Sequence, residues 1–209
     1  MKSFRALRLL LIVSSLGVLG ALVVHLGLRP NPWLADNEQY AVLSAYIEPN
    51  PTGYSHDLGN GDDVIVIAAR TGFSKAMISS NKFQQYRSLV LSTCHSKPMI
   101  HKLGWSLVFE FWVANLRDIT IERKLRLRAR YELATDEEMR SFPSAAFLEH
   151  FPSSYGAITF SRIAFNRDLT EAFFYTEHLC GLCGAGKFVH MRKLGGKWVV
   201  DDTALTWVS

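Results

Sequence analysis

Residues 9–28 read LLLIVSSLGVLGALVVHLGL, a run of twenty positions without a formal charge. A helix of that length covers about 30 Å, the hydrocarbon thickness of a bilayer. This run constrains the chain more than any other feature, because it assigns the remaining 181 residues, 29–209, to a compartment. Lys2, Arg5 and Arg8 precede it and Arg29 comes directly after. The positive-inside bias therefore predicts an uncleaved signal anchor, with the amino terminus inside and the rest of the chain outside. A cleaved signal peptide is the first alternative, with weak small-residue sites in VLGA at 18–21 and WLAD at 33–36. Its apolar region is usually shorter than this one. A buried helix of a soluble protein is the second alternative. The expected organisation is a membrane segment over 1–30 and one extracytoplasmic domain over 31–209. RPNPW at 29–33 is expected to break the first helix and serve as a linker, since proline lacks an amide donor.

The chain beyond the anchor has the composition of a folded domain. Of 209 residues, 48% are hydrophobic and 20% charged. A net charge of +4 invites a nucleic-acid reading. Its distribution removes that reading. Four of the 23 Lys and Arg (Lys2, Arg5, Arg8, Arg29) lie before residue 30, and all 19 acids lie after it. The domain is thus formally neutral and has no overall field to draw a phosphate backbone.

Along the domain, DNEQYAVLSAYI predicts a helix over 37–48, with Asp36 as N-cap and Gln39 at capping-box spacing. Residues 49–63 are rich in Pro, Gly, Asn and Asp and read as a loop. VIVIAAR at 64–70 has strand length, and 74–93 has helical propensity. WSLVFEFWV, from Trp105, reads as a strand by alternation of Trp105, Leu107, Phe109, Phe111 and Val113. ITIERKLRLRARYEL at 119–133 carries period two across fifteen residues, with Arg123 alone breaking it. Residues 134–151 read as acidic, helical and loop-like. Strands are expected near 157–165, 171–178, 187–193 and 197–208, separated by turn residues in NRDLT at 166–170 and LGGK at 194–197. The expected fold class is α+β, with a largely antiparallel sheet ending in a β-meander.

The stretch HLCGLCGAGKFVH at 178–190 holds the densest chemistry. G-x-x-x-x-G-K is present as Gly181, Gly186 and Lys187, but Phe188 replaces the magnesium-binding hydroxyl and a strand comes next where a helix is required. A zinc centre would use His178, Cys180, Cys183 and His190, or borrow Cys94 and His95 through the fold. No second C-x-x-C exists to complete it. Thioredoxin-like chemistry needs the C-x-x-C pair at the start of a helix, and Cys183 is followed by Gly-Ala-Gly and strand. The favoured reading is a hairpin with Gly181, Gly184 and Gly186 as turn glycines at positive φ, clamped by a Cys180–Cys183 disulfide. Oxidation fits an extracytoplasmic compartment. Cys94 would be the odd thiol.

Other features are weaker. Lys124, Arg126, Arg128 and Arg130 alternate on one face, which reads as a solvated sheet face or an anion or lipid-headgroup patch. The histidines form no H-E-x-x-H pattern, and no serine sits in G-x-S-x-G. No cofactor motif is intact, and none is expected.

The carboxyl-terminal sixty residues carry F-P-x-S-x-G (Phe151, Pro152, Ser154, Gly156) and S-R-x-x-F-N (Ser161, Arg162, Phe165, Asn166). They continue with the cysteine–glycine run from Cys180 to Gly186, G-K-W-x-V (Gly196, Lys197, Trp198, Val200) and a final W-x-S (Trp207, Ser209). This pattern resembles a family of uncharacterised bacterial proteins. The cysteines stand one residue closer together here than in that family's usual pattern. The resemblance implies an exported or membrane-tethered domain and no particular activity. The resulting expectation is a non-enzymatic cell-envelope protein, tethered through residues 9–28, that binds a protein or envelope ligand and no nucleic acid. The alternatives are a thiol redox protein using Cys180 and Cys183, or a hydrolase built on Ser161, Arg162 and a histidine.

Overall fold

A computed structural model describes residues 32–48, 64–72, 103–180 and 183–209. The expectations for the apolar run at 9–28, the loop at 49–63, the helices at 74–93, Cys94, His95 and Gly181 lie outside the described residues. Among the described residues no helix is long and apolar enough to cross a membrane.

The elements are α1 (Pro32–Ile47), β1 (Val64–Ala68), α2 (Trp105–Ala114), β2 (Arg130–Ala134), α3 (Asp136–Ser141), α4 (Ala145–His150), β3 (Ser154–Phe160), β4 (Ala164–Phe165), β5 (Glu171–Cys180), β6 (Cys183–Leu194) and β7 (Lys197–Val208). One sheet has the order β2-β1-β3-β5-β6-β7, with β4 paired to β5. The fold class is α+β, and the carboxyl-terminal strands form the expected meander. The edge differs from a purely antiparallel sheet: β1 runs parallel to both β2 and β3.

Alternation along the strands sends apolar residues to both faces. Ile65, Ile67, Ile158, Phe160, Ala172, Phe174, Val189 and Met191 meet Val42, Leu43 and Ile47 of α1. On the other face Phe173, Tyr175, Phe188 and Ala204 meet Leu107, Val108 and Phe111 of α2. Val66 and Ala157 there meet Phe147 of α4 and the adjoining Phe151. The sheet is thus covered on both sides, which is why its central strands read as near-continuous apolar runs.

Three expectations are corrected. The first concerns WSLVFEFWV, which is the helix α2 and not a strand. Alternation would bury Trp105 and Phe109, yet they are 79% and 47% exposed. The buried set is Leu107, Val108 and Phe111, a helical spacing. A nearly unbroken apolar run satisfies both periods, so periodicity alone cannot choose.

The second concerns residues 119–133, of which only Arg130–Ala134 joins the sheet. Residues 121–129 form an extended strap along α1. Period two survives as burial: Ile121 and Leu125 are buried, and Leu127 and Ala129 half-buried. The hydrogen-bond partners, however, are side chains of α1 and of Glu48, the residue directly after it. The amides of Glu122, Arg126 and Arg128 donate to Tyr40 Oη, Ser44 Oγ and Glu48 Oε2 at 3.1, 2.9 and 3.0 Å. Residues 40, 44 and 48 recur every four positions, so they line one helix face.

The third concerns the start of α1, which lies at Pro32 and not at Asp36. Proline suits a first helical position, where its missing amide has no partner to lose. Part of the expected linker is therefore helix.

Candidate functional site

The cysteine stretch forms the end of the β5–β6 hairpin. Cys180 and Cys183 pair across the ladder and are joined by a disulfide, with Cα atoms 5.0 Å apart. Closing so small a loop restricts the unfolded chain by about 2 kcal/mol in the chain-entropy picture. Both cysteines terminate strands. Neither has the helix amino terminus that lowers a thiol pKa in redox C-x-x-C motifs.

The glycines do not act as expected. Gly184 and Gly186 lie inside β6, outside the positive-φ region. What they supply is room. A Cβ on Gly184 would stand 3.0 Å from two ring carbons of Trp207. A Cβ on Gly186 would fall on Trp207 Nε1 and the Tyr175 hydroxyl. The indole of Trp207 rests on this glycine shelf. It donates from Nε1 to Tyr175 Oη at 2.9 Å, and the amide of Ser209 donates to Gly184 O at 3.0 Å. Glycines at positive φ occur instead at Gly195 and Gly196, the two-residue turn between β6 and β7, with φ of 56° and 81°.

Behind Trp207 a polar chain enters the sheet. Tyr175 Oη donates to Glu177 Oε1 at 3.1 Å, and Thr159 Oγ1 donates to Glu177 Oε2 at 3.4 Å. Glu177 is fully buried. Burial first, and then the charge of Glu177, holds the Tyr175 hydroxyl above its usual range. A bulge in β7 makes the chain possible. Gly186 pairs with Trp207 and Lys187 with Leu205, which leaves Thr206 as the extra residue. Thr206 Oγ1 turns to donate to Gly186 O at 2.7 Å and lies 3.3 Å from Tyr175 Oη. A second bulge leaves Asp201 extra in the same way, and its Oδ2 lies 3.1 Å from His190 Nδ1. An ionised carboxylate only accepts, so His190 carries its proton on Nδ1. His190 Nε2 is buried and has no hydrogen-bond partner among the described residues.

The opposite face at this end carries a different set. Thr176 pairs with Lys187, and His178 is the next residue of β5 on that side. Lys187 Nζ stands 5.6 Å from the Tyr46 ring centroid. Burial lowers the Lys187 amine. Burial, and secondarily the Lys187 charge, brings His178 down to about 4. Burial raises the Tyr46 hydroxyl. Near neutrality His178 is therefore an uncharged imidazole beside a cation.

The four candidate zinc ligands are not brought together. Both sulfurs are in the disulfide, and His178 and His190 project from opposite faces, as their register partners Ala185 and Phe173 require. Among the described residues no group of three or more metal-ligating side chains forms.

The remaining signature residues build the scaffold. Ser161 is buried, donates from Oγ to Arg162 O and accepts from the Tyr175 amide at 2.8 Å. Its hydroxyl is thus a sheet contact, and no histidine among the described residues is hydrogen-bonded to it. Asn115, at the end of α2, accepts from the Arg162 amide and donates to Arg162 O, at 2.7 and 3.0 Å. Asn166 Oδ1 accepts from the amides of Thr170 and Glu171 and so closes the turn before β5. Phe165 packs against Trp198. Trp198 Nε1 and Lys193 Nζ both donate to Glu38 of α1, at 2.7 and 2.6 Å.

Sequence reasoning missed Glu177, Tyr175, Thr159, Thr206, Asn115 and Glu38. One signal was available: in AFFYTEHL a glutamate interrupts an apolar strand, where an acid needs built-in partners. Comparison with protein families, with curated proteins and with solved structures found no match.

Proposed function

We propose that the chain is a membrane-tethered, extracytoplasmic binding domain of the bacterial cell envelope. The observation that carries this reading is the Cys180–Cys183 disulfide in a chain whose residues 9–28 form an uncharged run long enough to cross a bilayer. Disulfides persist outside the reducing cytoplasm. The carboxyl-terminal pattern resembling uncharacterised bacterial proteins agrees with this reading in so far as that resemblance implies an exported or membrane-tethered domain. A binding role, in preference to a catalytic one, is supported by where the polar groups of the hairpin end go. Ser161, Tyr175, Glu177, Trp207 and Thr206 satisfy one another or the backbone. They hold the strand ends together from within and leave recognition to the exposed surface around them.

The test is a thiol count on protein isolated without reductant and unfolded in urea. One reactive thiol of the three cysteines is expected, that of Cys94, and three after reduction. Three before reduction would remove the compartment argument. Mass spectrometry of the isolated protein checks the tether, since loss of about twenty to thirty-five amino-terminal residues would exclude an anchor.

A further inference from the structure

We infer that the strap over residues 122–130 is a docking face for anionic lipid headgroups, and that it lays the domain against the membrane that holds the anchor. The inference deepens the tethering proposal and rests on it in part. The strap reads ERKLRLRAR, with Arg123, Lys124, Arg126, Arg128 and Arg130 all exposed. The side chains of Arg128, Arg130 and Lys124 are 96%, 71% and 59% exposed. Glu122, Glu48 and Glu132 pair with Lys124, Arg128 and Arg130. Arg123 and Arg126 have no ion-pair partner among the described residues. The face therefore keeps a positive surplus in a domain whose formal charge is zero as a whole.

The strap cannot collapse inward. Ile121 and Leu125 anchor it in the core, and three of its amides are held by Tyr40, Ser44 and Glu48. Its cations are thus presented as a fixed row along α1. That helix begins at Pro32, four residues beyond Leu28, the last residue of the apolar run. Tyr40, which accepts from the Glu122 amide and lies under Lys124, is eight residues into α1 by number, about 12 Å along the axis. The leading end of the strap is thereby tied to a helix that begins four residues after the proposed anchor. With α1 lying along the bilayer surface, this row of cations comes within the Debye length of about 8 Å over which the headgroup potential decays, and that is the arrangement inferred. Anionic lipid is the occupant committed to, because the membrane is the one partner whose position the chain itself dictates.

The experiment uses the full chain in nanodiscs of phosphatidylcholine alone or with phosphatidylglycerol, and reads the rate at which a water-soluble acylating reagent modifies Lys124. Lys197, beside the β6–β7 turn, serves as the reference amine. Acylation of Lys124 relative to Lys197 should slow by about five-fold or more in the anionic discs, and high salt should restore it. The combined Arg123→Gln and Arg126→Gln variant should lose most of that protection, since each cation near an anionic surface contributes about 1 kcal/mol, roughly five-fold. Both substitutions are at exposed side chains, and lysine chemistry at Lys124 remains as the readout. Equal relative acylation in the two discs overturns the inference. Protection in whole envelopes but not in anionic discs also overturns it, and assigns the face to an acidic protein. The tether is scored separately by flotation. A chain that floats with neither disc refutes the anchor. One that floats with both and shows no lipid dependence at Lys124 refutes only the strap. Flotation with anionic discs alone, abolished by the double variant, keeps the strap and refutes the anchor.

Discussion

Gly186 shows how one missing atom organises a site. It lies where the indole of Trp207 and the hydroxyl of Tyr175 meet, and a methyl group there would occupy the place of their hydrogen bond. Gly186→Ala should therefore overpack the edge and separate the pair. Overpacking costs about 1–3 kcal/mol, and a lost buried hydrogen bond about 1 kcal/mol more. Gly184→Ala meets the same ring at 3.0 Å, tighter than ordinary packing but at the ring's far edge, and should cost about 1 kcal/mol. Urea denaturation followed by tryptophan emission ranks the two, and an equal effect would refute the shelf. Tyr175→Phe isolates the polar chain. It leaves the ring packed against Phe188 while removing the donor to Glu177 and the acceptor for Trp207. A loss of about 1–3 kcal/mol is expected, because two buried groups lose a partner at once.

At the scale of elements, the strap and α1 form one unit although eighty residues separate them in the chain. Ser44 is the central tie: it is buried, donates to Tyr40 O and accepts from the Arg126 amide. Ser44→Ala should cost about 1–2 kcal/mol and raise hydrogen exchange at the Arg126 amide. The amides of β2 should keep their protection, since β2 is held by its ladder to β1. This pairing also explains what the sequence could not disclose. Alternation in 119–133 correctly marks which side chains face inward, because any extended backbone on a core has period two. It says nothing about whether a strand or a helix supplies the hydrogen bonds. The same holds for α2, whose run of apolar residues fits both periods until the burial of Leu107, Val108 and Phe111 decides. The meander from β5 to β7 was legible because alternation and turn chemistry agree there: Asn166 closes one turn, and Gly195 and Gly196 take the positive φ of another. At the site, the cysteine pair was legible and Gly184 and Gly186 were misassigned. Glycine marks either a positive φ or a close approach, and only Trp207, arriving from twenty-one residues away past the Thr206 bulge, shows which.

For the whole molecule, the sheet is a partition that keeps two unlike polar sets apart. One face at the hairpin end holds the carboxylate of Glu177, and the other holds Lys187 and His178. The cation side gives stability a defined pH dependence. His178 titrates near its ordinary 6.5 in the unfolded chain but at about 4 in the fold, because burial and the neighbouring Lys187 disfavour its imidazolium. Between those two values the unfolded chain binds a proton that the folded one refuses. Stability from this group is therefore complete above about pH 6.5 and declines as pH falls toward 4. Carboxylates contribute later. Burial raises Glu38, but the hydrogen bonds from Lys193 and Trp198 outweigh it and lower that carboxyl below 4.5, so its share is lost only in stronger acid. The interval from pH 6.5 to 4.5 thus separates the two effects. Urea midpoints of the full chain in detergent should fall steadily across it, and those of His178→Gln should fall less, because glutamine fills similar space without a proton to gain. Parallel declines in the two proteins would mean that another histidine is responsible. A steeper decline in the variant would mean that His178 is stabilised by protonation, and that the proximity of Lys187 does not govern this face.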